Sequence, residues 1–313
     1  MDNEAQASEA ETQPAAQPKI EQNRRPLSKT PAFQAMHSTR YRRQDLIRTI
    51  EDKTKRQLIC YDAGLHTMIS RDDVVFLVDL LHNARRNEPM DVLLHTGGGD
   101  MDAAEKLISM IRNFVGTAEL RVVIPDFAKS AGTLIALGAD YIVMSESSEL
   151  GPIDPQIVLN DGNGNHMSTP IQSYLDAYQQ HSEALAKNPN DVAAQIMLQK
   201  LDPARLKVFQ AARNRARVFA EGQLKLGMFR APKVGNFTKI AADLLDTTKW
   251  LSHGQMIGHH EANDIGLEVE YMDPQDELWQ YYWQLYCYQR LEIKEKQKLF
   301  ESNFASLVFD DGV

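Results

Sequence analysis

The stretch "MDVLLHTGGGDMDAAEKLISMI", Met90 to Ile111, decides how the chain is read. Val92 to Leu94 form a short apolar run, three glycines follow at Gly97 to Gly99, and apolar residues then recur at helical spacing through Leu107, Ile108 and Ile111. Strand, tight turn and helix in that order make one crossover unit of a parallel sheet. Three glycines at the turn let something approach the backbone closely. The outward N–H groups of a helix start suit an anion. A phosphate does not fit, because the stretch lacks the Lys and Ser/Thr of a P-loop and the glycine spacing of a dinucleotide fold, and Asp100 and Asp102 would repel it. A small transient oxyanion, which needs only two donors, fits better.

The same alternation extends on both sides. "QLICYDA", "LRVVIP" and "YIVMS" read as strands, and "DDVVFLVDLLHNARR", "DMDAAEKLISMIRNF" and "SAGTLIALGA" as helices, so the pattern predicts an α/β fold around a largely parallel, buried sheet. "NDGNGNHMST" at Asn160 reads as a loop from its Gly and Asn content. Two long helical patterns follow, "IQSYLDAYQQHSEALAK" and "DPARLKVFQAARNRARVFAEGQLKLG", the second opening on an Asp cap with Pro at N1. The final "DELWQYYWQLYCYQRLEIKEKQKLF" reads as helix, and the spacing of Trp279, Tyr282, Trp283 and Tyr286 suits a core face or an oligomer seam. The expected organisation is a disordered tail over 1–31, which is poor in large apolar residues, a main domain over 32–272, and an aromatic helical extension over 273–313.

At 313 residues and 43% hydrophobic composition the chain has enough apolar material for a sizeable core. The net charge of -9, with basic residues scattered, argues against a nucleic-acid partner, and "RYRRQ" at Arg40 to Gln44 reads as a solvated helix start. No apolar run approaches the roughly 18 residues of a membrane span. The acidic N-terminus does not resemble a secretory signal, so a cytoplasmic protein is expected. Cys60 and Cys287 read as buried thiols. His253, His259 and His260 cluster in sequence, but "HHEAN" lacks zincin spacing, so no metal or other cofactor is expected.

A second turn carries a candidate nucleophile. In "PDFAKSAGTLIALGAD", Pro125 to Asp140, Ser130 sits between a strand end and an apolar helix, and small Ala131 and Gly132 leave its hydroxyl open. A helix N-cap is the plain alternative. Ligand sites in parallel sheets gather at strand C-terminal ends, so the Gly97–Gly99 and Ser130 turns would face one another across a cleft, a nucleophile beside oxyanion donors.

These residues also carry a resemblance. "HTGGG", "AKSAGTLIALGADYIVMSESSELGPIDPQI" and "HGQMIGHHEANDIGLEV" resemble the serine dehydrogenase proteinase family, Clp-fold serine peptidases related to signal peptide peptidase A. The resemblance runs from about Tyr41 to Met272. It implies a Clp/crotonase-like spiral of strand and helix units with a helical C-terminal part. It further implies Ser130 as nucleophile, Gly98 and Ala131 as oxyanion donors with Gly97 in a place that relatives fill with Ser or Pro, peptide or protein substrates, and a homo-oligomer. The general base stays open. Clp proteases carry a His in the region of "LGPIDPQ", where this chain has Asp154 and Gln156, whereas signal peptide peptidases use a desolvated Lys. Lys200 in "IMLQKLDP" is the preferred lysine, with Lys187, Lys207, Asp154 and His253 as alternatives; Lys129 points elsewhere, and His95 is expected to hydrogen-bond backbone at the glycine turn. A cytoplasmic serine peptidase is the leading expectation. A non-catalytic scaffold or peptide-binding protein is the second, and an acyl-CoA hydratase or hydrolase, which needs no open serine, is the third.

Overall fold

The computed structural model describes residues 30–160 and 166–310. The expected tail therefore lies almost wholly outside the described residues, as does the centre of the "NDGNGNHMST" segment. The chain divides into two compact units, Met1–Ser38 and Thr39–Val313. In the first, α1 (Pro31–Met36) starts on Pro31 at N1, and Thr30 Oγ1 accepts the Phe33 N–H at 3.4 Å.

The second unit is built from alternating strands and helices. It enters through α2 (Ser38–Thr54) and continues as β1 (Gln57–Ala63), α3 (Asp73–His82), β2 (Met90–His95) and α4 (Met101–Val115). Asp100 caps α4 by accepting the Asp102 and Ala103 N–H groups, and Gly116 ends it at φ +63°. Next come β3 (Leu120–Val123), β4 (Phe127–Ala128), α5 (Ala131–Ala136), β5 (Tyr141–Met144) and β6 (Glu149–Leu150). β7 (Gln156–Asn160) and β8 (His166–Pro170) pair antiparallel, so the end of the segment that the sequence suggested was a loop is a strand; the β-branched Ile157 and Val158 favour the extended backbone that leads into it. The helical part is α6 (Ile171–Lys187), α7 (Val192–Gln199), α8 (Pro203–Leu226) and α9 (Phe237–Leu244). The chain closes with α10 (His259–Asp264), β9 (Val269–Tyr271), α11 (Glu277–Glu292), β10 (Gln297–Ser302) and β11 (Ser306–Asp310).

Seven strands form the central sheet in the order β11-β10-β1-β2-β3-β5-β9. β1, β2, β3, β5 and β9 are parallel, and β10 and β11 add an antiparallel edge. The sheet is covered on both faces, so its central strands read as continuous apolar runs. Their side chains alternate: Ile59, Val92, Leu94, Val122 and Ile142 join the core with α3, α4, α5, α8 and α9, while Leu58, Cys60, Leu93, Val123 and Val143 meet Ile47, Ile50, Trp279, Tyr282 and Leu285 of α2 and α11. Fully buried Asp91 accepts Arg56, Arg121 and the Tyr282 hydroxyl, tying β2, β3 and α11 together.

The C-terminal stretch departs from the helical reading. α11 ends at Glu292, and "QKLFES" becomes β10, paired with β1 from Ala63↔Lys298 to Ile59↔Ser302. The charged residues of this strand are not all at the surface, for Lys298 and Glu301 are fully covered beside Leu299 and Phe300. Each has a tertiary partner, Asp73 for Lys298 and Arg43 for Glu301, which a local pattern cannot show.

Candidate active site

Short pairings beyond the sheet's C-terminal edge bring distant turns together. Thr96 N–H donates to Phe127 O and Lys129 N–H to Thr96 O, both at 3.0 Å, so the chain leaving β2 runs beside β4. β4 pairs with β6. Leu150 of β6 exchanges hydrogen bonds of 2.9 and 3.1 Å with Ile257. On the other flank Ile69 N–H donates to Gly98 O at 2.8 Å and Asp100 N–H to Ile69 O at 2.9 Å.

The glycines are required by this packing. Gly98 (φ +104°) and Gly99 (φ +147°) lie in the region that favours glycine. A Cβ on Gly99 would lie 2.4 Å from Ile69 N, and one on Gly98 would lie 2.8 Å from Lys129 O and 2.9 Å from Ser130 Cβ. The two turns that the sequence placed across a cleft are thus in direct contact at Gly98 and Ser130. Gly97 is exposed, and a Cβ there would meet open space.

Ser130 adopts φ +51° and ψ -114°, a conformation that costs a non-glycine residue about 1–3 kcal/mol and collects at functional sites. It stands at the N-cap position of α5, yet its side chain makes no cap bond, and among the described residues the hydroxyl has no hydrogen-bond partner. The Ala131 N–H is likewise without an acceptor among the described residues and lies beside Gly98. The Gly98 N–H turns to Thr96 Oγ1 at 3.1 Å, a contact the sequence did not signal.

Lys129 and Thr133, on either side of Ser130, are fastened to the segments carrying two candidate bases. Lys129 Nζ pairs with Glu149 and donates to Leu150 O (3.1 Å), Gly254 O (3.5 Å) and Gln255 O (3.4 Å), which turns it away from a base role. Thr133 Oγ1 lies 2.8 Å from Ala128 O and 2.9 Å from Gly151 O, and accepts the Gly151 N–H at 3.1 Å. Three residues past Gly151, buried Asp154 meets His253 Nδ1 at 2.7 Å. The sequence offered these two as alternatives; in the fold they are one pair. The Nδ1 contact to a carboxylate favours the tautomer whose Nε2 is free to accept a proton.

The lysines stand apart from this arrangement. Lys200 is exposed at the C-cap of α7, and Lys187 and Lys207 are exposed on α6 and α8. None of the three has a side-chain hydrogen bond or ion pair among the described residues, and exposure withholds the desolvation that a lysine base requires.

His95 lies behind the glycine turn, 2% exposed, with its ring against Phe127 and Tyr286. It does not bond the backbone as expected: neither ring nitrogen has a hydrogen-bond partner, and Asp126, 3.8 Å from Nδ1, is instead bound by the Tyr286 hydroxyl at 2.6 Å. Burial first, and the Arg290 charge second, push its pKa down to about 3. Asp62, its partner across β1 and β2, is pushed up to about 7 by burial, against the pull of Arg290 at 2.8 Å. The signs oppose. The raised carboxyl contributes stability at low pH that is lost as pH rises through about 7, and the lowered imidazole contributes stability at high pH that is lost as pH falls below its ordinary 6.5. Between about pH 8 and pH 5 they largely cancel, so relative to wild type Asp62→Asn is expected to lose about 2 kcal/mol over that fall and His95→Phe to gain as much. Urea denaturation at both pH values checks this, and parallel profiles for all three proteins would rule it out.

Two uncharacterised proteins of Methanocaldococcus jannaschii are relatives of this chain. One is 27% identical over 216 residues, 69% of this chain and 65% of its own length. The other is 31% identical over 122 residues, 39% and 38% of the two lengths, so the chain spans less than two thirds of either relative. Similar solved structures include a mutant of the 1510-N membrane-bound stomatin-specific protease in complex with a substrate peptide (19% identity, 67% of this chain and 72% of that one, TM-score 0.36). ClpP1 from Listeria monocytogenes is another (15% identity, 75% and 98%, TM-score 0.38). Among the described residues no helix is long and apolar enough to cross a membrane. Residues 17–289 match one family over most of the chain, and with its parallel sheet and glycine-turn-to-serine contact the chain belongs to the ClpP-like SDH-type serine proteinases.

Proposed function

We propose that this chain is a cytoplasmic serine peptidase with Ser130 as its nucleophile. The observation that carries the reading is the strained, unbonded Ser130 pressed against Gly98, because a serine kept only for capping would use its hydroxyl and needs no positive φ. A peptide lies extended over the glycine turn, where the open space at Gly97 admits its backbone. Ser130 Oγ attacks the scissile carbonyl carbon. His253 Nε2 accepts the hydroxyl proton, with buried Asp154 holding the ring through Nδ1, and returns it to the leaving amine. The oxyanion is held by the Ala131 and Gly98 N–H groups, the latter leaving Thr96 Oγ1 as the carbonyl oxygen gains charge. Water then releases the acyl group from Ser130 by the same route. The two free thiols fit a reducing compartment, and the outer face of α11, where Leu291 is 83% exposed, is the surface that a contact between copies would cover.

One observation favours a second reading, a peptide-binding protein without catalysis: the Gly98 donor is already satisfied within the turn. A fluorophosphonate probe separates the two. Covalent labelling of the wild type is expected, with the adduct mapped by mass spectrometry to Ser130 and absent from Ser130→Ala. An unlabelled wild type, or labelling that survives the substitution, would overturn the peptidase reading.

A further inference from the structure

The glycine turn is held from its outer side by Ile69, whose N–H and C=O bond Gly98 and Asp100. Ile69 belongs to a segment with little regular structure, between β1 and α3, yet that segment is fastened along its length. Gly64 N–H donates to Gln297 O and His66 N–H to Glu295 O, both at 2.8 Å. Lys298 of β10 then reaches under the segment. Its Nζ donates to Met68 O at 2.5 Å, lies 3.3 Å from Ser70 Oγ, and pairs with Asp73 Oδ1 at 2.9 Å, so its three donors have three acceptors. Asp73 Oδ2 accepts the Ser70 N–H and the Tyr61 hydroxyl, each at 2.9 Å. Lys298 and Asp73 are both fully buried.

A buried ion pair is a poor way to gain stability, since apolar residues of the same volume often do as well or better. What this pair supplies is position. It grips the residues on either side of Ile69, and Ile69 grips the turn that packs on Ser130. Lys298 lies beyond residue 289, where the family match stops. We infer that Lys298, with Asp73, is a positioning residue for the oxyanion turn, and that the C-terminal strand pair of this chain acts as the turn's outer brace. The catalytic half of this inference rests on the reading of Ser130 above; the mechanical half does not.

The test uses the full chain and three variants, Lys298→Met, Asp73→Asn and the double variant, which leaves no unpaired buried charge. Asp73→Asn keeps the lysine on Met68 O and Lys298→Met removes it, whereas both disturb stability. Two quantities are read: amide exchange at Asp100, bonded to Ile69 O, against Val122 in the central sheet, and the rate of fluorophosphonate labelling at Ser130. In the double variant, Asp100 exchange is expected to accelerate about tenfold or more with Val122 unchanged, and labelling to slow about tenfold or more, because small displacements near reacting atoms carry large rate costs. Asp73→Asn, which keeps Lys298 on Met68 O but weakens the hold on Ser70, is expected to shift both quantities in the same direction by a smaller factor, about threefold to tenfold. A folded double variant with wild-type Asp100 exchange overturns the inference, whatever its labelling. Should the wild type not be labelled at all, the Ser130 reading fails and the exchange data alone judge the brace. Should the double variant not fold, native-state exchange of the wild type in low urea decides: Asp100 is expected to open together with the β10 amides, and an Asp100 that stays protected after β10 has opened overturns the brace.

Discussion

His253→Ala is expected to lower the rate of Ser130 acylation by about a thousandfold or more, and Asp154→Asn by about a hundredfold or more, with the fold intact in both. His253 is part-exposed and its loss removes little packing, so a large rate effect without a shift in melting temperature would mark the imidazole as the base. The combination is the sharper measurement. If Asp154 acts only by holding the ring through the 2.7 Å contact at Nδ1, removing both residues should cost no more than removing His253 alone. Independent structural effects would instead add. A matching series at Lys200, Lys187 and Lys207 is expected to leave the rate within about threefold, because these side chains are exposed and have no partner among the described residues. A hundredfold loss at any one of them would return the site to a serine and lysine pair and remove His253 from the mechanism.

The contrast between those candidates shows what a sequence carries and what it does not. The parallel sheet was legible because its strands are buried on both faces and therefore mainly apolar, from "QLICYDA" to "YIVMS". The approach of the two turns was legible for a related reason: a glycine run after one strand and a small-flanked serine after the next both mark places where backbone must come close, and Gly98 against Ser130 is that closeness. Pairings across long stretches of chain were not legible. Asp154 and His253 are 99 residues apart, and nothing local says that one carboxylate and one imidazole meet. The lysine preferred for its apolar surroundings, Lys200, has such neighbours in "IMLQKLDP", but Ile196 and Met197 are themselves exposed, so the local pattern did not mean burial. β10 fails in the opposite sense. Its Lys298 and Glu301 look like solvent-facing charges until Asp73 and Arg43, each more than two hundred residues away, are brought against them. Ile69 gave no signal of its kind at all, since its contribution to the turn is made by its backbone.

Gly98→Ala should separate the turn's chemistry from its mere presence. The added Cβ falls 2.8 Å from Lys129 O and 2.9 Å from Ser130 Cβ, where no flexible side-chain end can yield, and φ +104° is itself unfavourable for alanine. Either the glycine turn or the Ser130 turn must move. The expected cost is about 2–4 kcal/mol of stability together with about a hundredfold or greater loss in labelling rate, the size typical of losing one oxyanion donor. Gly97→Ala is the internal control for stability, because its Cβ meets open space and the residue has no positive φ, so it should stay within about 0.5 kcal/mol of wild type. Urea denaturation and labelling rates on the two variants make the comparison. A Gly98→Ala protein that labels at the wild-type rate would mean that the nucleophile works without this turn, and the oxyanion would then have to be held by Ala131 and by groups other than Gly98.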